Sequence, residues 1–172
     1  MFDLIVAYFA TCGLGILLSL ALPPARQAGV LGWLGGLAAL AAMAAGAAAL
    51  LAGHGFTQTL WSVPGVAMLT LRLDPLSALF VLVTGLVLLP ASIYAAGELR
   101  GESLRGHERT LTVMLLALYA SIVLILIAGD ALLFLLAWEV MSILCYLLVV
   151  SGRHRENGAQ VGSGFLLLAM GE

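Results

Sequence analysis

The strongest constraint on the fold is a series of five long apolar runs, at residues 4–22, 28–52, 76–95, 111–128 and 131–150. As a helix, about 20 apolar residues span roughly the 30 Å of a bilayer's hydrocarbon core. Each run therefore predicts one membrane-spanning helix. The fold class that follows is an all-α integral membrane protein with about five complete transmembrane helices.

Composition agrees with this class and excludes others. The chain is 63% hydrophobic and 9% charged, whereas about a quarter of the residues of an ordinary soluble domain are charged. Its net charge is −2, and all seven cations are arginine. There is no basic surface for nucleic acid, so the lipid bilayer is the first partner that the sequence predicts.

The connections between the runs carry local signals. Pro23-Pro24 ends the first run, and Leu69–Asp74 alternates apolar and polar residues with the period of a half-exposed strand. Gly129-Asp130 is so short a link that the fourth and fifth helices are expected to be antiparallel neighbours. Asp130 itself is expected to cap the fifth helix, because aspartate favours helix starts.

A sixth apolar run begins at residues 161–170. About ten residues cannot cross a bilayer. We therefore expect residues 1–172 to be the N-terminal transmembrane region of a longer protein, forming an incomplete helix bundle.

Arginine counting predicts the topology. If the N-terminus is on one side, a single arginine of the loops, Arg72, shares that side, and the opposite side holds Arg26, Arg100, Arg105, Arg109, Arg153 and Arg155. The positive-inside rule places the arginine-rich side in the cytoplasm. The sequence thus predicts a multi-pass protein of the cytoplasmic (inner) cell membrane with its N-terminus outside.

Glu139 is the main candidate functional residue. It is the ninth residue of the run 131–150 and so lies roughly 13 Å from either end of that helix. A carboxylate at this depth costs at least about 2.5 kcal/mol, and such residues usually mark proton or ion pathways. The alternative is a neutral Glu139 that hydrogen-bonds a neighbouring helix.

Four hydroxyl residues are candidates for supporting Glu139. Ser142 and Tyr146 follow it by three and seven residues, a spacing that shares one helix face. Tyr119 and Ser121 lie in the fourth run and are candidates only if they face Glu139. For all four, simple helix packing is the alternative.

No other catalytic chemistry is predicted. Cys12 and Cys145 are far apart in apolar runs and are expected to be small buried residues; His54, His107 and His154 lie in polar loops without ligand spacing. No metal site, cofactor site or catalytic chemistry is expected in this chain.

Two passages resemble a known family. Leu69 to Phe80, reading Leu-Thr-Leu-Arg-Leu-Asp-Pro-Leu-Ser-Ala-Leu-Phe, resembles the strand and third-helix start of the proton-translocating subunits of respiratory complex I and their Mrp antiporter relatives. Ala128 to Phe134, Trp138 to Ser142 and Tyr146 to Leu148 resemble that family's fifth helix. Within this family, the sequence from Leu69 to Ser77 is most similar to the large membrane subunit of formate hydrogenlyase and related hydrogenases (hydrogenase component B).

The resemblance implies that Glu139 is the family's fifth-helix glutamate, a proton relay coupled to a lysine on the seventh helix. It implies partners as well: other membrane and hydrophilic subunits of a respiratory or hydrogenase complex. Iron–sulfur and nickel–iron or flavin centres would belong to those subunits. Two alternatives stay open at this point: an Mrp-type cation/proton antiporter subunit, and a truncated structural remnant without transport.

Overall fold

The computed structural model describes residues 1–63, 67–101 and 106–152. The described residues are mostly helical, and five helices are long and apolar enough to cross a membrane. In chain order the elements are α1 (Phe2–Ala21), α2 (Pro24–Ala52), β1 (Phe56–Val63), β2 (Ala67–Leu73), α3 (Pro75–Glu98), α4 (Glu108–Leu126) and α5 (Ala131–Gly152). The five predicted helices are confirmed. The sixth run and three of the counted arginines, at 105, 153 and 155, lie outside the described residues.

The turn between α1 and α2 is closed by side chains. Helix α1 ends just before Pro23-Pro24, as predicted, which leaves carbonyls at its end without intrahelical partners. The Gln27 amide donates to the carbonyls of Ser19 at 2.9 Å and Leu22 at 3.2 Å. Arg109 of α4 also donates to the Leu22 carbonyl, at 3.1 Å. These bonds fix the end of α1 against both neighbouring helices.

Helix α2 is not uniform along its length. A 3-10 turn (Pro24–Arg26) and an α-helical turn (Gln27–Val30) precede a π-helical turn (Leu31–Gly35), and the regular helix Gly36–Ala52 completes it. A π turn widens the helix locally and often lies near functional sites. It falls in the glycine-rich half of α2.

Small residues hold α2 and α3 close together. A Cβ on Gly46 would lie 2.6 Å from the Ala78 carbonyl oxygen, and one on Gly85 would lie 2.8 Å from that of Ala39. Ala39 and Gly46 of α2 lie at this contact, as small residues do where helix backbones approach closely in lipid. Nearer the start of α2 the approach is looser, because a Cβ on Gly32 would lie 3.2 Å from the Ala96 side chain and one on Gly36 would lie 3.7 Å from the Leu89 side chain.

The connection between α2 and α3 is an antiparallel hairpin, which the all-α prediction did not include. β2 matches the strand predicted from the alternation of residues 69–74, but β1 was not predicted. Threonine, tryptophan and valine give β1 good strand propensity. Its sequence Phe-Thr-Gln-Thr-Leu-Trp-Ser-Val does not alternate apolar and polar residues regularly, so the pattern did not predict a strand here.

The second edge of β2 is bonded to the link between α4 and α5. The Arg72 N–H donates to the Ile127 carbonyl and the Gly129 N–H to the Thr70 carbonyl, both at 2.8 Å. A Cβ on Gly129 would lie 2.7 Å from the Thr70 hydroxyl oxygen, so glycine permits this approach. The link is short but longer than the predicted Gly129-Asp130, because α4 ends at Leu126 and α5 begins at Ala131.

Helices α1 to α4 form the packed centre of the bundle, and α5 lies at its periphery. Helix α1 packs on α2 and α4, α2 packs on α3, and α5 packs chiefly on α4 and β2. Only 11% of the apolar window of α5 is buried, against 28% to 44% in the other helices. Most of the surface of α5 is therefore uncovered by the described residues.

Candidate functional site

Glu139 lies on the side of α5 that faces away from the bundle. The buried residues of α5 are Leu133, 7% exposed, and Ala137, 2% exposed, and they mark the side that packs on α4. Glu139 follows Ala137 by two residues, a rotation of about 200° around a helix. The structure accordingly leaves Glu139 exposed.

The surface around Glu139 is apolar. We call it the outer face of α5: Leu132, Leu135, Leu136, Glu139 and Ile143, all of them exposed. Among the residues that the structure describes, Glu139 makes no hydrogen bond or ion pair. The outer face therefore presents one carboxyl group in an otherwise hydrocarbon surface.

Ser142 and Tyr146 follow Glu139 along the same side of α5 and are partly buried. Their spacing of three and seven residues puts both within about two turns of the carboxyl group along the helix. Each supplies a hydroxyl beside the outer face. These two predicted support residues share the helix surface of Glu139.

Tyr119 and Ser121 lie elsewhere. Both are 4% exposed in α4, and the Ser121 hydroxyl donates to the Leu118 carbonyl at 2.8 Å. Tyr119 is turned toward the centre of the bundle, where its ring lies 3.6 Å from a Cβ built on Gly35. The structure does not bring these residues together with Glu139, which lies on the side of α5 that faces away from α4.

Tyr119 belongs instead to an interior polar cluster that the sequence did not reveal. The Tyr8 hydroxyl donates to the Tyr119 carbonyl at 2.5 Å, and Cys12 lies beside the Tyr8 hydroxyl. From α3, Ser92 reaches the Tyr119 side chain. The only signal in the sequence was the spacing of four residues between Tyr8 and Cys12, which gives one helix face.

Asp130 caps α5, as predicted, and also binds β2 of the hairpin through Thr70. One carboxylate oxygen accepts the Leu133 N–H at 2.8 Å. The other accepts the Thr70 N–H at 2.6 Å and the Thr70 hydroxyl at 3.2 Å. Burial alone would raise the pKa of Asp130, but these bonds outweigh it and lower the pKa below its usual range.

Asp74 is the corresponding cap of α3. Its carboxylate accepts the Ser77 N–H at 2.7 Å, and this bond is the main cause of its lowered pKa. Arg72 lies 3.9 Å from the same carboxylate. Unlike Asp130, Asp74 makes its hydrogen bond within its own helix start and not to another element.

The described residues offer little to a metal or cofactor. They contain no group of three or more histidine, cysteine, aspartate or glutamate side chains placed to hold a metal ion. Cys12 is buried and Cys145 partly buried, and both are free thiols. His54 is exposed and His107 partly buried; His154 lies outside the described residues.

No family model matches the chain. It is 32% identical over 108 residues to two uncharacterized proteins of Mycobacterium tuberculosis, MT0090 of strain CDC 1551 / Oshkosh and Rv0083 of strain ATCC 25618 / H37Rv. The match covers 63% of this chain and 16% of each relative. The chain thus spans a small part of the length of the curated relatives it matches, and the match assigns it no activity of a whole protein of that length.

Proposed function

We propose that this chain is part of a proton-conducting, antiporter-like membrane subunit of an energy-converting hydrogenase or an NADH:quinone oxidoreductase-type complex. The observation that carries the proposal is the position of Glu139. It is a single carboxyl group at the middle of an apolar helix, on a face without a described partner. The resemblance of its surroundings, Trp-Glu-Val-Met-Ser, to the family's fifth helix supports the same function.

The physical basis is the cost of leaving Glu139 against lipid. An ionisable group inside a membrane faces a protein interior or a water-filled cavity in almost all cases. We therefore propose that protein outside the described residues covers the outer face of α5 and supplies a cation near Glu139. The chain contains no lysine, so a lysine partner would lie beyond residue 172 or in another subunit.

Such a site can exchange protons with its surroundings. Desolvation favours the neutral carboxyl group, and a nearby cation favours the carboxylate. When the cation moves, the balance changes, and Glu139 takes up or releases one proton. Ser142 and Tyr146 would order water or hydrogen-bond the carboxyl group along the same side of α5.

Membrane orientation and partners are part of the proposal. The arginine count supports an N-terminus outside the inner membrane, which would put the β-hairpin and the Asp130 link on the outer side. Electron transfer would take place at iron–sulfur and nickel–iron or flavin centres of partner subunits. This chain would convert the free energy of that reaction into proton movement.

The proposed cationic partner of Glu139 is tested by gene sequencing and by substitution. Sequencing the gene beyond codon 172 should reveal a lysine within a later apolar helix, and replacing that lysine by methionine in the full-length protein should abolish proton translocation. Adding Glu139→Gln should cause little further loss, because the two residues act as one unit. Independent, additive losses would contradict the pairing.

The neighbouring genes separate the two transport classes. Genes for hydrogenase or iron–sulfur subunits beside this one support the proposed complex. A cluster of antiporter genes would instead assign the chain to an Mrp-type cation/proton antiporter. If Glu139→Gln changes neither transport nor assembly, the chain is a structural membrane module and the proposal is wrong.

A further inference from the structure

A second feature of the bundle is an open groove between α2 and α3, with no lining residue on α5, the helix of Glu139. It has a volume of about 630 Å³ and is bordered by Gly29, Gly32, Trp33, Gly36 and Leu40 of α2 and by Ile93 of α3. This α2–α3 groove follows the π turn of α2. Glycines and the exposed Trp33 both line it.

The groove has two arginines at one end and no charge along its length. Arg100 borders the groove itself, and Arg100 and Arg26 together border an adjoining cavity of about 550 Å³. Both arginines are exposed, and within the described residues neither side chain makes an ion pair or hydrogen bond. The end of the α2–α3 groove at Arg26 and Arg100, which we call its mouth, is therefore a cationic site, and the rest of the groove is apolar.

Among the described residues that border these cavities, Glu108 supplies the one carboxyl group. Glu108 and Arg100 border a third cavity, of about 390 Å³. Glu108 is only 9% exposed, and its carboxylate accepts the Gly106 N–H at 2.8 Å. It is thus already bonded at the start of its own helix, and among the described residues that border these cavities the two arginines outnumber this carboxylate.

The length of the groove fits one leaflet of a bilayer. Gly29 to Leu40 is a rise of roughly 16 Å along a helix, close to half of the roughly 30 Å hydrocarbon core. Beyond that depth the groove closes, because α2 and α3 touch where Gly85 meets the Ala39 carbonyl and Gly46 meets that of Ala78. A membrane-spanning helix would need a groove across both leaflets, whereas an acyl chain needs only this half.

We infer that the α2–α3 groove binds an anionic phospholipid of the arginine-bearing leaflet, with its phosphate group at Arg26 and Arg100 and an acyl chain along Gly29–Leu40. Basic sites between helices on the cytoplasmic side bind such headgroups. The inference needs membrane insertion in the proposed orientation but does not depend on Glu139. Loss of proton coupling in Glu139→Gln and loss of lipid binding are separate results.

Native mass spectrometry of the full-length protein, released from vesicles of phosphatidylglycerol and phosphatidylethanolamine, tests the inference. The wild type should retain one phosphatidylglycerol in preference to phosphatidylethanolamine. Replacing both Arg26 and Arg100 by alanine should weaken phosphatidylglycerol binding roughly 30-fold and leave phosphatidylethanolamine unchanged. Arg72→Ala, at the opposite end of the bundle, should retain the lipid.

A second variant tests the groove without altering charge. A Cβ on Gly29 meets no atom within 4 Å, so Gly29→Leu should fill the groove without disturbing the fold and should displace the lipid. Gly13→Leu is the matched control, since its Cβ is equally free and it lies on α1 away from the groove. Equal retention of both lipids by the wild type, unchanged binding in the double arginine variant or Gly29→Leu, or no lipid at all because protein fills the groove, would each overturn the inference.

Discussion

Asp130 accepts the backbone N–H of Thr70 at 2.6 Å while it caps α5 through the N–H of Leu133. One carboxylate thus joins the hairpin to the start of the peripheral helix. Because α5 packs on α4 and on β2, this bond adds to the packing that fixes the rotation of α5. Glu139 is nine residues further along the same helix, roughly 13 Å, so the bond contributes to the direction of Glu139 together with the packing on α4.

Asp130→Ala should lower the free energy of unfolding by about 2–3 kcal/mol, from the lost helix cap and the lost charged hydrogen bond to the hairpin. Asp74→Ala is the matched comparison, because Asp74 caps α3 through Ser77 without joining two elements. It should cost only about 1 kcal/mol. Denaturant unfolding in detergent micelles measures both, and equal losses would show that the bond to Thr70 adds nothing.

Stability should depend on pH through the same carboxylates. The pKa values of Asp74 and Asp130 are lowered in the folded state, so each stabilises the fold above the ordinary aspartate pKa of about 3.9 and ceases to do so as pH falls through the folded pKa. The wild type should lose stability below about pH 4. Between pH 5 and pH 3 the Asp130→Asn variant should lose less stability than the wild type, as measured by unfolding at each pH. If the variant and the wild type lose the same stability over this range, Asp130 does not have this role.

The contact between α2 and α3 should not tolerate a methyl group at Gly46. Gly46→Ala puts a Cβ 2.6 Å from the Ala78 carbonyl oxygen and 2.7 Å from Leu82, and overpacking of this kind costs about 1–3 kcal/mol. Gly13→Ala, whose Cβ meets nothing within 4 Å, should be neutral or stabilise by up to about 1 kcal/mol. Thermal unfolding of both variants measures the difference in stability between them. Equal stability of Gly46→Ala and Gly13→Ala would show that α2 and α3 are loosely packed at Gly46, contrary to this account.

The sequence predicted those parts of the fold that depend on local patterns. Helix lengths followed from the apolar runs, the end of α1 from Pro23-Pro24, and the cap at Asp130 from its place before an apolar run. Strand β2 was predicted from its alternation. These features depend on neighbours in the sequence, so a pattern of a few residues was sufficient.

Features that depend on distant residues were not predictable in this way. Strand β1 lacks a periodic signal and exists because β2 lies beside it. The direction of the Tyr119 ring, toward Gly35 of α2 and away from Glu139, follows from how α4 packs in the bundle. The α2–α3 groove likewise arises only when the glycines of α2 meet α3. Each needs the three-dimensional arrangement, which no single run contains.

The most direct measurement is proton translocation by membrane vesicles that contain the full-length protein in its native complex, with and without Glu139→Gln. Glutamine keeps the shape of the side chain but cannot ionise, so we expect coupled translocation to fall at least about tenfold with normal assembly. Glu139→Asp should retain part of the activity, and Glu98→Gln, an exposed carboxyl group at the end of α3, should retain all of it. Wild-type translocation in the Glu139→Gln protein would contradict a relay at Glu139.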